Sequence, residues 1–246
     1  MRLLLWNIHK GIGGVDRRYA PERIATLIHH HRPDVVALQE VDQDVPRSRH
    51  HDQAEWLAEK LGFRHVAYGP NVTLKHGRYG NATLSHFPIA REENIDLTFP
   101  FKKKRGALLT DLDVPVQGHT LTLHLVNIHL GLAGLERRWQ IRTLLESEPL
   151  RHLDRRSRIV IAGDTNDWGG SLAGGRLGRS GFECASGRGR RAVRTFPAVS
   201  PVGALDRVFL RGPVHSEHCA RSRLALSAQA SDHLPVIVDL VLERST

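Results

Sequence analysis

Six short stretches place carboxylate, amide or imidazole side chains where an apolar run ends: Trp6-Asn7-Ile8-His9, Leu38-Gln39-Glu40, Asn127-Ile128-His129, Gly163-Asp164-Thr165-Asn166, Leu205-Asp206-Arg207 and Ser231-Asp232-His233. Oxygen and amide groups of this kind hold a hard cation, a water or a phosphate oxygen, and imidazoles move protons near neutral pH. The stretch around which the others are read is Arg158 to Trp168, four apolar residues in a row that end in Gly163, Asp164 and Asn166. Taken alone, Gly-Asp-x-Asn after a strand is equally the sequence of a turn held by Asx hydrogen bonds. Its repetition at other strand ends points to a site. His129, alone, reads as a core histidine; after a β run and before glycine it repeats the same pattern.

These residues need strands to carry them. Leu3–Trp6, Val35–Leu38, Thr120–Val126 and Ile159–Ala162 are runs that suit strands covered on both faces. Ala107–Val114 pairs with Thr120–Val126 through a turn at Pro115–Gly118, and Arg64–Leu74 reads as strands with a turn at Gly69-Pro70-Asn71. Leu205–Leu210 is a strand with Asp206 near its start, where a carboxylate is costly unless paired, so a nearby imidazole is expected. Val236–Leu240 follows Asp232 and His233. Helices are expected from Pro21, with Ile24, Leu27 and Ile28 on one stripe, from His51 to Leu61 with Trp56 in the core, and from Leu135 to Leu145 with Leu135, Trp139, Ile141, Leu144 and Leu145 as apolar positions. His29, His30 and His31 end the first helix. Consecutive residues face different sides of a helix, which favours a solvated terminus over a metal site.

The chain has 246 residues, 40% of them hydrophobic and 25% charged, enough apolar material for a sizeable core. It reads as one domain, 1–246, without a transmembrane span or signal peptide, hence as a cytoplasmic protein and a monomer. Two cysteines, Cys184 and Cys219, are too few for a disulfide framework and too isolated for zinc. The net charge of +9 makes polyanions natural partners, nucleic acid and anionic lipid headgroups alike. Lys102 to Arg105 forms a basic rim. Gly169 to Arg194, rich in glycine and arginine, reads as a mobile substrate-facing loop, or as a flexible basic loop without function.

In this order, the six motifs resemble those of the endonuclease/exonuclease/phosphatase superfamily, which includes pancreatic-type deoxyribonucleases, apurinic-site endonucleases, neutral sphingomyelinases and inositol-polyphosphate phosphatases. The resemblance spans residues 6 to 235. It implies an α/β (α+β) fold, a four-layer sandwich of two facing mixed β-sheets flanked by helices. It also implies a Mg²⁺- or Mn²⁺-dependent phosphodiesterase. Glu40, with Asn7 and Asp232, would hold the metal, while Asp164 and Asn166 would orient the attacking water and a phosphate oxygen. His233, polarised by Asp206, would act as base or phosphate-binding imidazolium, and His129 would donate to the phosphate or the leaving group. Asn81, Arg105 and Arg190 are the expected substrate-binding residues. Val41-Asp42 after Glu40 departs from the Thr-Lys pattern of apurinic-site endonucleases. Asn7–Gly11, Tyr79–Asn81 and Thr195–Pro197 resemble a branch associated with lipid-anchor remodelling. A phosphate-ester substrate is therefore expected, with a nuclease acting on nucleic acid ahead of a phosphodiesterase or phosphatase acting on an anionic phospholipid or glycolipid headgroup, and a catalytically silent phosphate-binding module as a third alternative.

Overall fold

The computed structural model describes residues 1–154 and 156–244. Among them are β1 (Arg2–Asn7), α1 (Pro21–His31), β2 (Val35–Gln43), α2 (Gln53–Leu61), β3 (His65–Thr73), β4 (Arg78–Ser85), β5 (Ile89–Asp96), β6 (Gly106–Val116) and β7 (His119–His129). There follow α3 (Gly134–Glu146), α4 (Glu148–Arg151), β8 (Arg158–Asp164), α5 (Ser171–Gly174), α6 (Arg176–Arg179), β9 (Glu183–Cys184), β10 (Asp206–Arg211), β11 (Val214–Arg221), α7 (Ala225–Ala230) and β12 (Val236–Leu242). The strands form two mixed sheets, ordered β11-β12-β1-β2-β4-β3 and β5-β6-β7-β8-β10-β9.

Alternate residues of the inner strands face opposite ways, so each central strand feeds two apolar layers. Leu3, Leu5, Val35 and Ala37 meet Leu123, Leu125, Val160 and Ala162 between the sheets. Leu4, Trp6, Val36 and Leu38 turn outward onto α1, α2 and Ala230 of α7. Val126, Ile128, Ile159 and Ile161 turn outward onto α3 and the segment carrying Leu172 and Leu177. The result is the four-layer sandwich expected from the sequence.

Pairing direction fixes which strand ends meet. β2 runs parallel to β1 and β8 parallel to β7, so Asn7, Glu40, His129 and Asp164 share one edge of the sandwich. β4, β6, β10 and β12 run antiparallel to their neighbours and begin at that edge, bringing in Asn81, Gly106, Asp206 and the residues before Val236.

Four local expectations need correction. Residues 65–73 form a single strand with a bulge between Pro70 and Val72, not two strands around a turn, because β4 pairs continuously along both halves. Trp56 is half-buried at the rim of its layer, stacked on His51 at 6.1 Å, rather than in the core. Leu135, expected on the apolar face of its helix, is 74% exposed. The segment 169–194 is folded: it contains α5, α6 and β9, and Leu172, Ala173, Leu177, Phe182 and Cys184 are all buried. Those apolar residues anchor what its glycines and arginines suggested was loose. The histidines ending α1 are solvated at His29 and His30, and His31 lies 3.0 Å from Ser222 Oγ. Among the described residues no helix is long and apolar enough to cross a membrane.

Candidate active site

The end of β8 is shaped by Gly163. A Cβ there would fall 1.8 Å from the Ile128 carbonyl oxygen, so only glycine lets β7 and β8 stay in register to their tips. Asn166, at φ 49°, closes an Asx turn in which its N–H donates to Asp164 Oδ1 at 3.0 Å. The turn therefore forms and uses one carboxylate oxygen of Asp164, leaving the other to the cleft.

Asp164 Oδ2 is the centre of the cluster. Asn7 Nδ2 donates to it at 3.0 Å, and His129 Nε2 and His233 Nε2 stand 3.6 and 3.7 Å away. Two imidazoles from different sheets thus flank one carboxylate oxygen. His233 is fixed from behind: Nδ1 lies 2.8 Å from Asp206 Oδ2, which also accepts from Thr195 Oγ1. Its backbone is held as well, since Trp6 Nε1 donates to the His233 carbonyl at 2.8 Å and Ser231 Oγ donates to the Asn7 carbonyl at 2.7 Å. These bonds lock the end of β1 to the loop before β12.

The two histidines have opposite electrostatics. Burial disfavours charge on His233, but Asp206 and Asp164 overcome it and raise its pKa to about 10. Burial and the neighbouring Arg105 cation lower His129 to about 4, against the pull of Asp164 and Glu40. At neutral pH the site holds one imidazolium and one neutral imidazole.

Glu40 reaches the cleft through a bulge. The β2–β4 register slips between Leu38 and Val41, and Glu40 sits at φ 58°, which re-aims its side chain. Burial would push its carboxyl up, but His129 and Lys10 hold it well below the usual carboxylate range. With His129 neutral at pH 7, Lys10 dominates, and its ammonium is hydrogen-bonded to Glu40 Oε2. A cation already rests where a metal is expected. Asn7 Oδ1 accepts from the His9 N–H at 3.0 Å. Oxygen donors on Glu40 and Asn7 fit a hard divalent ion. Asp232, the third expected ligand, is half-buried, and its Oδ1 lies 4.0 Å from His9 Nδ1. A second group, Asp164, Asp206 and His233, has ligand atoms within 4.8 Å of one another. A metal there would have to displace the proton that the two carboxylates hold on His233, so the Glu40 side suits a cation better.

The expected substrate contacts divide. Arg105 is 8% exposed, its Nε has no partner, and no carboxylate pairs with it among the described residues. It is a cation available to phosphate. Asn81 instead belongs to a buried amide seam joining the sheets. Its Nδ2 donates to the Gly106 and Asn127 carbonyls, while Asn127 Nδ2 donates to Leu38 and Ala82 and its Oδ1 accepts from Gln39. Only the acceptor Oδ1 of Asn81 remains, and it suits a water or hydroxyl rather than a phosphate oxygen. Arg190 is not brought to the imidazoles: it lies exposed in the turn 189–191 and lines a separate cleft with Arg194, Arg221 and Arg223. Lys10, Tyr79 and Thr195 are the neighbours that motif spacing did not single out as site residues. Tyr79 is buried with its hydroxyl beside Glu40, and Lys103 Nζ lies 4.9 Å over its ring. Its signal in the sequence is the resemblance carried by the stretch Tyr79–Asn81.

The chain is similar to known proteins along nearly its whole length. The Escherichia coli (strain K12) uncharacterized protein YbhP is 30% identical over 252 residues, covering 98% of this chain and 96% of its own length. A crystal structure of an endonuclease/exonuclease/phosphatase from Beutenbergia cavernae superposes with a TM-score of 0.80 at 27% identity, over 98% of this chain and 71% of that one. D. rerio TDP2 complexed with a single-strand DNA product superposes with a TM-score of 0.70 at 21% identity, over 98% of both chains. The model of the Endonuclease/Exonuclease/phosphatase family matches residues 4–233, from β1 to the second imidazole. With two facing sheets whose tips converge on one carboxylate between two histidines, and with that match over nearly its whole length, the chain belongs to the endonuclease/exonuclease/phosphatase family and is a phosphoesterase.

Proposed function

We propose that the protein is a divalent-metal-dependent phosphodiesterase. The observation carrying this reading is Asp164 Oδ2 between the two Nε2 atoms, at 3.6 and 3.7 Å, a place where an attacking water can be oriented and relieved of a proton. Asn7 Nδ2 holds that carboxylate in place. His233, kept as imidazolium by Asp206, donates to a non-bridging phosphate oxygen, and Arg105 adds a second positive charge from the other sheet. His129, neutral, lends a hydrogen bond without adding to the charge already there. Glu40 and Asn7 would hold Mg²⁺ or Mn²⁺, which when bound withdraws negative charge from the phosphate and the departing oxygen. Asp232 would complete this set.

A diester is the substrate class that the motif resemblance implies, and Arg105 and His233 would meet its phosphate beside the ion held by Glu40 and Asn7. The test is hydrolysis of bis(p-nitrophenyl) phosphate and p-nitrophenyl phosphate with Mg²⁺, with Mn²⁺ and in EDTA. The expected result is release from the diester only with metal. Equal release in EDTA, or release from the monoester alone, would contradict the reading.

A further inference from the structure

Among the described residues, the exposed large hydrophobics are Val15, Phe101, Leu132, Leu135, Trp168, Val199 and Val202, from 59% exposed at Val15 to 106% at Phe101. Chance would scatter them over the surface. Six of them lie on the connections that leave or enter strands at the catalytic edge, β1–α1, β5–β6, β7–α3, β8–α5 and β9–β10, and Leu135 lies in the first turn of α3, just after one of them. The opposite edge, with the α1–β2, β4–β5, β6–β7 and β10–β11 connections, has none of them.

Charge accompanies this apolar rim. Phe101 stands at a loop tip in a left-handed conformation, followed directly by exposed Lys102, Lys103 and Lys104. Leu135 and exposed Arg138 share the first turns of α3 and border a cleft of about 650 Å³ walled by Phe99 and Trp139. The rim is also coupled to the chemistry: Trp168 packs edge-on against Phe196 at 5.9 Å, and Phe196 lies 4.8 Å from the His233 ring.

We infer that the catalytic edge docks on an anionic lipid surface, so that the phosphodiester attacked is that of a lipid headgroup; this rests on the hydrolytic reading above. Apolar tips beside lysines and arginines are what an interface of acyl chains and anionic headgroups accommodates, the tips entering and the cations staying at headgroup level. A nucleic acid would use the cations and could stack on Phe101 or Trp168. It offers nothing to Val15, Leu132, Leu135, Val199 and Val202, and five exposed aliphatic side chains decide between the two.

The test is co-sedimentation of the whole protein with phosphatidylcholine vesicles, with and without phosphatidylglycerol, in EDTA so that no hydrolysis intervenes. Binding that requires phosphatidylglycerol is expected. The double substitution Phe101→Ser/Leu135→Ser should weaken it about 10- to 100-fold, and Lys102→Gln/Lys104→Gln about fivefold per lysine. Both variants should retain the circular dichroism spectrum and the soluble-diester turnover of the unaltered protein. No sedimentation with either vesicle would overturn the inference, as would binding indifferent to the rim. A single-stranded oligonucleotide that outcompetes vesicles, with affinity lost in Phe101→Ser/Leu135→Ser, would assign the rim to nucleic acid instead. Rim-dependent vesicle binding without hydrolysis of any diester would sustain the docking surface and remove the hydrolytic function.

Discussion

The two histidines are one residue type in two charge states. His129→Ala and His233→Ala should each lower diester turnover by about 10²- to 10⁴-fold, the usual range of general acid–base and hydrogen-bond assistance, with the fold unchanged by circular dichroism. NMR titration of the imidazole resonances should place His233 near 10 and His129 near 4. The sign for stability follows. A raised pKa means that the His233 imidazolium stabilises the fold fully below the unfolded value of 6.5, and this contribution is lost as pH rises through about 10. The denaturation midpoint difference between the unaltered protein and His233→Ala should therefore shrink between pH 6.5 and 10. A lowered pKa on His129 works the other way: as pH falls from 6.5 towards 4 the unfolded chain gains a proton the folded site refuses, and stability drops. A midpoint difference that does not change with pH would contradict the paired-imidazolium assignment.

At the scale of elements, strand tips are held by bonds that sequence patterning does not announce. Asn127 caps two carbonyls of the facing sheet, at 3.0 and 2.9 Å. Asn127→Ala should cost about 1–3 kcal/mol for each buried carbonyl left bare, measured by denaturant unfolding. Trp6→Phe keeps the ring but leaves the His233 carbonyl without its donor. It should cost a similar amount and lower kcat more than it raises KM, since it acts on the placement of the imidazole. Asn7, Glu40, His129, Asp164, Asp206 and His233 were legible because each follows or opens an apolar run, and a strand end is a rigid platform. The Nδ2 of Asn81 is spent on two carbonyls, which the sequence does not announce, because an amide at a strand start looks alike whether it faces substrate or a carbonyl across the sandwich. Helix α3 shows the same limit: Gln140 and Arg137 are buried to clamp the backbone after His129, so Leu135 is left outside. Periodicity ranks residues by polarity and cannot see such a clamp.

At the scale of the molecule, the four-layer sandwich that the family resemblance implies is the one found. The segment 169–194 was the larger surprise. Its composition is that of a loop, yet a few buried residues tie it onto the second sheet, and Phe209 pairs with Cys184. Composition averages over a segment, whereas a core needs only a few residues at the right places. The asymmetry of the surface, apolar tips at one edge and, among the described residues, none at the other, was invisible in sequence because the tips are spread over five separate connections.

Diester turnover by Asp164→Asn beside the unaltered protein, at saturating Mn²⁺, tests the central claim most directly. The amide preserves the oxygen that accepts from the Asn166 N–H and closes the turn, and removes the charge between the histidines. The expected result is a loss of about 10²-fold or more, with the circular dichroism spectrum retained and the melting temperature lowered, because the new amide turns its NH2 towards the Asn7 donor and takes one carboxylate from His233. Turnover within a few-fold of the unaltered protein would contradict the placement of the chemistry at Asp164.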